Sequence, residues 1–551
     1  MSLPRELVEQ IFNCGHLSRS DLWSFSLVCR QWNAIVTPVL YESIIIELRC
    51  GIAIPKNYIR SLFTYQHRHS NLHLVKNVVL LAEHEDRNAP KIWEDGVAAM
   101  VNELMEGFLR RLGNAQLRSF IWRSHLEMSS SLLAFLANNQ GTTLNCLYID
   151  AVEFMENMEH NPDLSKFTSI NTLRWNGLFL PREIGIISQI MKASASTLQT
   201  VSFGIIHPRD EIRGQLQMNR LERLDLPALV EYQAPLRVHA DIDIFNIILP
   251  LSQLQRLYIT EIDIARRGDG IDLLTSIKGL VELHYVYNMK FERQTSLAIF
   301  SHGKTLKRLY LCADISQPTP LVLSASALQE IGQKCPNLVE LGITRHTYHS
   351  TNCIRADDCS CFPIMILFPL HAFAKLEVLF HSVQLKGPSS MIEYTYFADE
   401  ASARAIKCGL ENTLNRELND PMPVKRSNNL KIVAMGAGAP ELHRHPRTQA
   451  RPRLWRVDHH DATGKGPITL HLTTFDDIDN TNHSWYCART SRKKDCHDWK
   501  LLRRYPLLIP NEGLHPIFHS MHLSVPPESK MYTTQAYAFR KRQPLGAGLF
   551  D

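Results

Sequence analysis

Long apolar runs are scarce in this chain of 551 residues. The most apolar stretch, residues 362–374 (FPIMILFPLHAFA), is too short to cross a bilayer and carries two prolines and a histidine. No membrane partner is expected. Phosphate-cradling loops are missing too: neither GxxxxGKS/T nor GxGxxG occurs. There is no GxSxG elbow and no HExxH pair, so catalysis by the chain itself finds no motif to stand on and the expected protein is not an enzyme. Asp476, Asp477 and Asp479 cluster, but without the Gly and closing Glu of a calcium loop. His346, His349, Cys353, Cys359 and Cys361 gather in one segment, and His483, Cys487, Cys496 and His497 in another. Neither has the paired arms of a zinc site, so no metal and no cofactor is expected.

A dominant charge is absent as well. Sixty basic residues face 55 acidic ones, for a net charge of +5. That balance does not single out nucleic acid or a membrane surface as the main partner. No basic segment followed by an apolar one opens the chain, which leads to the expectation of a cytoplasmic or nuclear protein. Twelve cysteines are scattered, some at apolar-periodic positions such as Cys29 and Cys335. They read as reduced, buried thiols and not as a disulfide framework.

What is present begins at the N-terminus. Pro4 suits a first helical turn, and Glu6 favours a helix start. Leu7, Ile11 and Phe12 share one face of a helix. Asp21, after Ser18 and Ser20, is placed to cap a second helix. Val28, Trp32, Ile35 and Val36 form a third apolar stripe, with Pro38 expected to end it. Three short amphipathic helices in so few residues leave apolar surface for something else to cover. The ordered set Leu3, Pro4, Leu7, Ile11, Phe12, Leu22, Val28 and Trp32 resembles the F-box, the helical module that docks on Skp-type adaptors of cullin–RING ubiquitin ligases. By that resemblance these eight residues hold the adaptor.

The middle of the chain repeats itself. The phrase apolar-x-x-apolar-x-apolar occurs at 117–122 (LRSFIW), 144–149 (LNCLYI), 170–175 (INTLRW), 198–203 (LQTVSF) and 221–226 (LERLDL). It returns at 254–259 (LQRLYI), 280–285 (LVELHY), 306–311 (LKRLYL) and 338–343 (LVELGI), and more loosely at 376–381 and 430–435. The first four starts lie 27, 26 and 28 residues apart. Such a period suits one strand and one helical return per unit, with neighbours stacking to bury what a single unit cannot. Residues 323–335, 186–195 and 242–249 read as return helices, and residues 72–81 as the first, sealing strand. Together with the segment Cys335-Pro336-Asn337-Leu338, the series resembles the leucine-rich repeats that follow an F-box in one family of ubiquitin-ligase receptors. The expected fold is α/β: a three-helix F-box over 1–46, a linker over 47–70, a leucine-rich-repeat solenoid of ribonuclease-inhibitor type over 71–436, and divergent end repeats with a polar, basic segment over 437–551.

Within each phrase the residues between the apolar ones face outward. One such row reads Tyr148, Arg174, Ser202, Asp225, Tyr258, His284, Tyr310 and Gly342. The neighbouring row reads Arg223, Arg256, Glu282, Arg308 and Glu340. Tyr and Arg favour protein interfaces, so Arg256, Tyr258, His284, Arg308 and Tyr310 are the candidate substrate-binding residues. The second row reads equally well as a cross-strand charge ladder. The resemblance implies the substrate-recognition subunit of a Skp–cullin–F-box ubiquitin ligase, with an adaptor, a cullin reached through it, and a protein target as partners. Two alternatives follow from the residues alone: a repeat scaffold outside any ligase, or a nucleic-acid-binding module using the basic clusters at 443–456, 489–494 and 539–542.

Overall fold

The computed structural model describes residues 19–50, 59–60, 71–84, 96–124, 126–150, 163–176, 181–203, 224–234, 247–248, 250–260, 274–287, 293–313, 323, 325–348, 372–386, 429–437, 453–459 and 468–473. Residues 1–18, where the first helix is expected, and residues 474–551 lie outside these ranges, and with them Leu3, Pro4, Leu7, Ile11, Phe12 and the second and third basic clusters.

The first two described helices are α1 (Arg19–Ser26) and α2 (Arg30–Tyr41). Their meeting faces bury Leu22, Ile35, Val36 and Leu40, with Phe25 and Trp32 packed against the cluster. Two bonds fix the turn: Ser26 Oγ donates to the Trp23 carbonyl at 2.6 Å, and Asn33 Nδ2 donates to the Ser26 carbonyl at 3.0 Å. Three local expectations change here. Asp21 lies inside α1, which already starts at Arg19. Pro38 does not end α2, because a proline in the last turn removes a single intrahelical bond and the helix continues to Tyr41. Cys29 is exposed: it is the N-cap of α2, and its Sγ accepts the Trp32 N–H at 3.4 Å.

From Ser43 onward the chain builds one large sheet. Its strands are β1 (Ser43–Cys50), β2 (Asn77–His84), β3 (Ser119–Ser124), β4 (Cys146–Asp150), β5 (Thr172–Asn176) and β6 (Thr200–Phe203). A small pair, β7 (Leu224–Asp225) and β9 (Ile247–Ile248), lies apart from it. The sheet resumes with β8 (Glu231–Ala234), β10 (Arg256–Thr260), β11 (Glu282–Tyr287), β12 (Arg308–Ala313), β13 (Glu340–Tyr348), β14 (Val378–Lys386) and β15 (Ile432–Ala437), and ends with β16 (Arg453–His459) and β17 (Ile468–Thr473). The fifteen strands follow in chain order. Every pairing as far as β15 is parallel; β16 and β17 close the far end antiparallel.

Each parallel step repeats one hydrogen-bond device. A carbonyl just ahead of one strand accepts two consecutive N–H groups of the next unit. The Arg118 carbonyl takes Asn145 and Cys146, the Asn145 carbonyl takes Asn171 and Thr172, and the Val281 carbonyl takes Lys307 and Arg308. These rungs satisfy the backbone as the chain turns into the sheet. They also reveal where a unit begins without reference to side chains.

By that criterion the unit at 221–226 is displaced. The rung falls at Val230 and Glu231, which donate to the Gln199 carbonyl, and Tyr232 takes the core position beside Val201 and Leu257. The repeating phrase is therefore Leu229-x-x-Tyr232-x-Ala234. Asp225 belongs instead to β7, in the separate pair. The LERLDL segment matches the pattern but runs into Pro227, which has no N–H to donate to a ladder. Two further differences follow. Residues 247–248 of the expected helix 242–249 form β9. The sheet begins at β1, earlier than the segment 72–81 and inside the stretch read as F-box end and linker.

The returns that are described carry α3 (Val97–Leu109), α4 (Ser130–Gln140), α5 (Pro181–Ala193), α6 (Arg293–Phe300) and α7 (Ala325–Lys334). Local chemistry starts them: Ser129 Oγ accepts the Leu132 N–H at 3.2 Å to cap α4, and Pro181 occupies the first position of α5. Helices and strands share a continuous core from Ile44 to Val457, in which Trp122, Trp175, Phe108, Phe120, Phe167, Phe203 and Tyr285 are the largest fully enclosed side chains. Cys146 and Cys335 are buried, and burial pushes their thiols up to about 11 and about 12.

Candidate functional site

Strand register aligns the residues of the sheet's second face, the one opposite the helices, into rows. Neighbouring parallel strands lie about 4.8 Å apart, so residues in one row touch. The first row runs Ser43, Asn77, Ser119, Cys146, Thr172, Thr200, Glu231, Arg256, Glu282, Arg308, Glu340 and Val378. Its centre alternates in sign without interruption. The expected Arg223 is replaced there by Glu231, which the displaced unit had hidden.

The charges in this row satisfy one another. Arg256 Nη2 lies 2.8 Å from Glu231 Oε2. Arg308 donates twice to Glu282 Oε2, from Nε at 2.7 Å and Nη2 at 2.6 Å. The other oxygen, Glu282 Oε1, accepts the Tyr258 hydroxyl at 2.8 Å and faces His284 Nε2 at 3.1 Å. The Glu282 side chain is only 3 % exposed. Burial alone would raise its pKa, but the His284 bond and charge, the Arg308 guanidinium and the Tyr258 hydroxyl outweigh burial and bring it down to about 2. Burial, then the charges of Glu282 and Glu231, hold the Tyr258 hydroxyl well above the ordinary tyrosine value.

The second row carries the rings. Tyr258, His284 and Tyr310 are in register on β10, β11 and β12, with ring centroids 4.3 and 5.5 Å apart. The run stops at Gly342 on β13, where a Cβ would collide with the Tyr310 ring. Glycine is needed at this point for room, since its backbone is not in the left-handed region. Gly342→Ala should force Tyr310 out of the row and cost about 1–3 kcal/mol, read as a lower denaturant midpoint at unchanged slope.

All five residues expected to bind a target are thus brought together, but not as five free side chains. Arg308 is engaged by Glu282, and Tyr310 is 3 % exposed. What the row offers outward is the 39 % exposed Arg256 side chain, the half-buried Tyr258 and the edge of His284. Glu231 and Glu282 were not among the expected site residues, although they engage four of them, Arg256, Arg308, Tyr258 and His284. For Glu282 the alternating charge of the ladder was already readable in the sequence; Glu231 joins it only once the units are aligned by strand.

The other candidate surface is the N-terminal helix pair. Leu27 is 71 % exposed and Val28 62 % exposed in the turn between α1 and α2, and Trp23 stands beside them at 39 %. Leu22, by contrast, is buried, and Trp32 packs on Phe25 with ring centroids 5.3 Å apart. The expected adaptor-binding set therefore divides: Val28 faces outward, whereas Leu22 and Trp32 hold the helices together.

Residues 1–47 match the family model for F-box-like domains. No curated protein matches the chain. F-box domains generally bind Skp-type adaptors, and the match suggests a role for residues 1–47 as an adaptor-binding module in Skp–cullin–F-box ubiquitin ligase complexes. The F-box-like region passes into the sheet almost without a break: α2 ends at Tyr41 and β1 starts at Ser43, while the Glu42 carbonyl accepts both Lys76 and Asn77 N–H groups.

Proposed function

We propose that the chain is the substrate-recognition subunit of a Skp–cullin–F-box ubiquitin ligase. The F-box-like region holds the Skp-type adaptor and, through it, a cullin; the strand-and-helix array is a leucine-rich-repeat solenoid whose second sheet face holds a target protein. The observation carrying this reading is the F-box-like match at residues 1–47, joined directly to a parallel sheet with an ordered polar and aromatic face. Such a subunit acts by proximity, raising the target's effective concentration beside the ubiquitin-charged enzyme. A rigid sheet suits that task, because the distance from adaptor to target stays the same from one encounter to the next.

The test uses the exposed residues of the helix pair. Trp32→Ala would loosen the helices themselves, whereas Leu27→Asp and Val28→Asp place charge on surface that is already outside. A tagged full-length chain should bring down adaptor and cullin from cells, and the Leu27→Asp/Val28→Asp double variant should lose at least about tenfold of both at unchanged melting temperature. Adaptor without cullin would point to a scaffold outside the ligase. Neither protein with the unaltered chain would sink the reading.

A further inference from the structure

Three arginines stand in the central part of the sheet's second face, and two of them have been accounted for. Arg256 is paired with Glu231 and Arg308 with Glu282. Arg174, on β5, is different. Register places it between Tyr148 on β4 and Ser202 on β6, both buried, at 6 % and 5 % exposure. Its Nε is closed off from solvent and has no hydrogen-bond partner. Among the described residues no carboxylate forms an ion pair with it; the nearest acid in register is Asp150, two positions beyond Tyr148 on the neighbouring strand. Cys146, diagonal to it on β4, interacts with it electrostatically; Thr172 lies on its own strand, Ile121 beyond Tyr148 and Gln233 beyond Ser202.

Register places Arg174 two residues along β5 from the charge row, in the row that continues through Ser202 and Gln233 to Tyr258 and His284. At each of the other two, a glutamate sits within reach on an adjacent strand. At Arg174 the flanking residues carry hydroxyl groups. A half-buried guanidinium without a counter-charge is costly, and it becomes favourable when an oxyanion supplies the missing acceptors. The planar fork of donors matches a carboxylate or a phosphate in bidentate fashion.

We infer that Arg174, flanked by Tyr148 and Ser202, is an oxyanion-binding site that captures an acidic or phosphorylated side chain of the protein target. This inference rests on the sheet face being the target-binding face. It divides that face into two parts: an anion anchor at β4–β6 and, from β8 to β13, the self-paired charge row with its aromatic neighbours. The anchor fixes one end of a bound segment, and the aromatic row meets the chain several strands away.

The test starts with inorganic phosphate and the purified full-length protein, so it needs neither adaptor nor target and its failure is separate from that of the pull-down. Thermal unfolding is compared in phosphate and in chloride at equal ionic strength. Because phosphate raises protein stability in general by exclusion, the informative quantity is the difference between variants. The unaltered chain and Arg174→Lys should gain more from phosphate than Arg174→Gln does. In chloride, Arg174→Gln should melt no lower than the unaltered chain, since it removes a charge without a partner. Arg308→Gln, which strips a paired buried charge, should melt lower in either salt. A second step separates the two anion sources: peptide arrays with degenerate flanks around a central Glu, phosphoserine or Gln. Binding to the Glu or the phosphoserine array should exceed binding to the Gln array and fall about tenfold in Arg174→Gln. An equal phosphate gain in all variants overturns the inference. So does a loss of stability in Arg174→Gln as large as in Arg308→Gln, which would make Arg174 a structural ion-pair partner.

Discussion

Glu282→Gln should lower the stability of the folded chain by about 3 kcal/mol, seen as an earlier denaturant midpoint. Four donors converge on this carboxylate: two from Arg308, one from Tyr258 and the ring nitrogen of His284. An amide of the same shape must turn its NH2 toward one side of that set, leaving donors facing a donor. It also leaves the Arg308 guanidinium, only 23 % exposed, without its closest counter-charge. Removing one partner of a buried pair costs more than the pair is worth, because the remaining charge stays desolvated. For that reason Glu282→Gln combined with Arg308→Gln should be markedly less destabilising than the sum of the two single changes, with a coupling of about 1–3 kcal/mol. Strict additivity would show that the row is a set of neighbours and not a network.

The same carboxylate predicts an acid response. Its pKa is about 2 in the folded chain against an ordinary 4.5, so the unfolded chain takes up the proton first as pH falls. The contribution of Glu282 is fully present above about pH 4.5 and is lost progressively as pH approaches 2, amounting to about 3 kcal/mol. Unfolding free energy followed from pH 6 to pH 3 should therefore fall less steeply in Glu282→Gln than in the unaltered chain. Equal slopes would mean that the network does not hold Glu282 ionised.

Trp122→Ala should cost about 3–5 kcal/mol, the other large effect expected. The indole is fully enclosed, and its Nε1 donates to the Leu126 carbonyl at 3.0 Å. Alanine leaves a cavity in a core continuous through the whole sheet, and an acceptor in β3's own turn without its donor. Neighbouring units cannot close the gap, since each strand is held in place by the rungs on both sides. Leu297→Ala on the exposed side of α6, where the side chain is 56 % exposed, is the comparison and should stay within about 0.5 kcal/mol. Comparable losses from both would contradict the placement of Trp122 in the core.

How much of this was legible beforehand differs from element to element. The N-terminal motif was readable because apolar residues at helical spacing, a proline at the start and a tryptophan near the end are local features. The strands β3 to β6 and β10 to β13 were readable because an apolar residue every second position is the signature of a strand with one buried face. The alternation around 256–310 already suggested both a ladder and an aromatic row. Local pattern failed where two segments satisfied it equally: LERLDL at 221–226 and the true unit at Leu229. Only pairing with β6 and β10 separates them, through a backbone rung that no side chain announces. Cys29 failed for a related reason: its apolar-periodic position says nothing about a helix starting one residue later.

The sequence by itself determined the amphipathic helices, the apolar spine of the repeated units and the residue types displayed between them, because these depend on neighbours a few positions apart. Tertiary structure alone decided which of the displayed residues meet. Glu231 and Arg256, Glu282 and Arg308, and Tyr258, His284 and Tyr310 are neighbours only because parallel register brings residues about 26 apart into one row. It also decided which arginines are spoken for. Arg256 and Arg308 stand in the row whose neighbours are glutamates, whereas Arg174 stands in the next row, between the hydroxyl-bearing Tyr148 and Ser202.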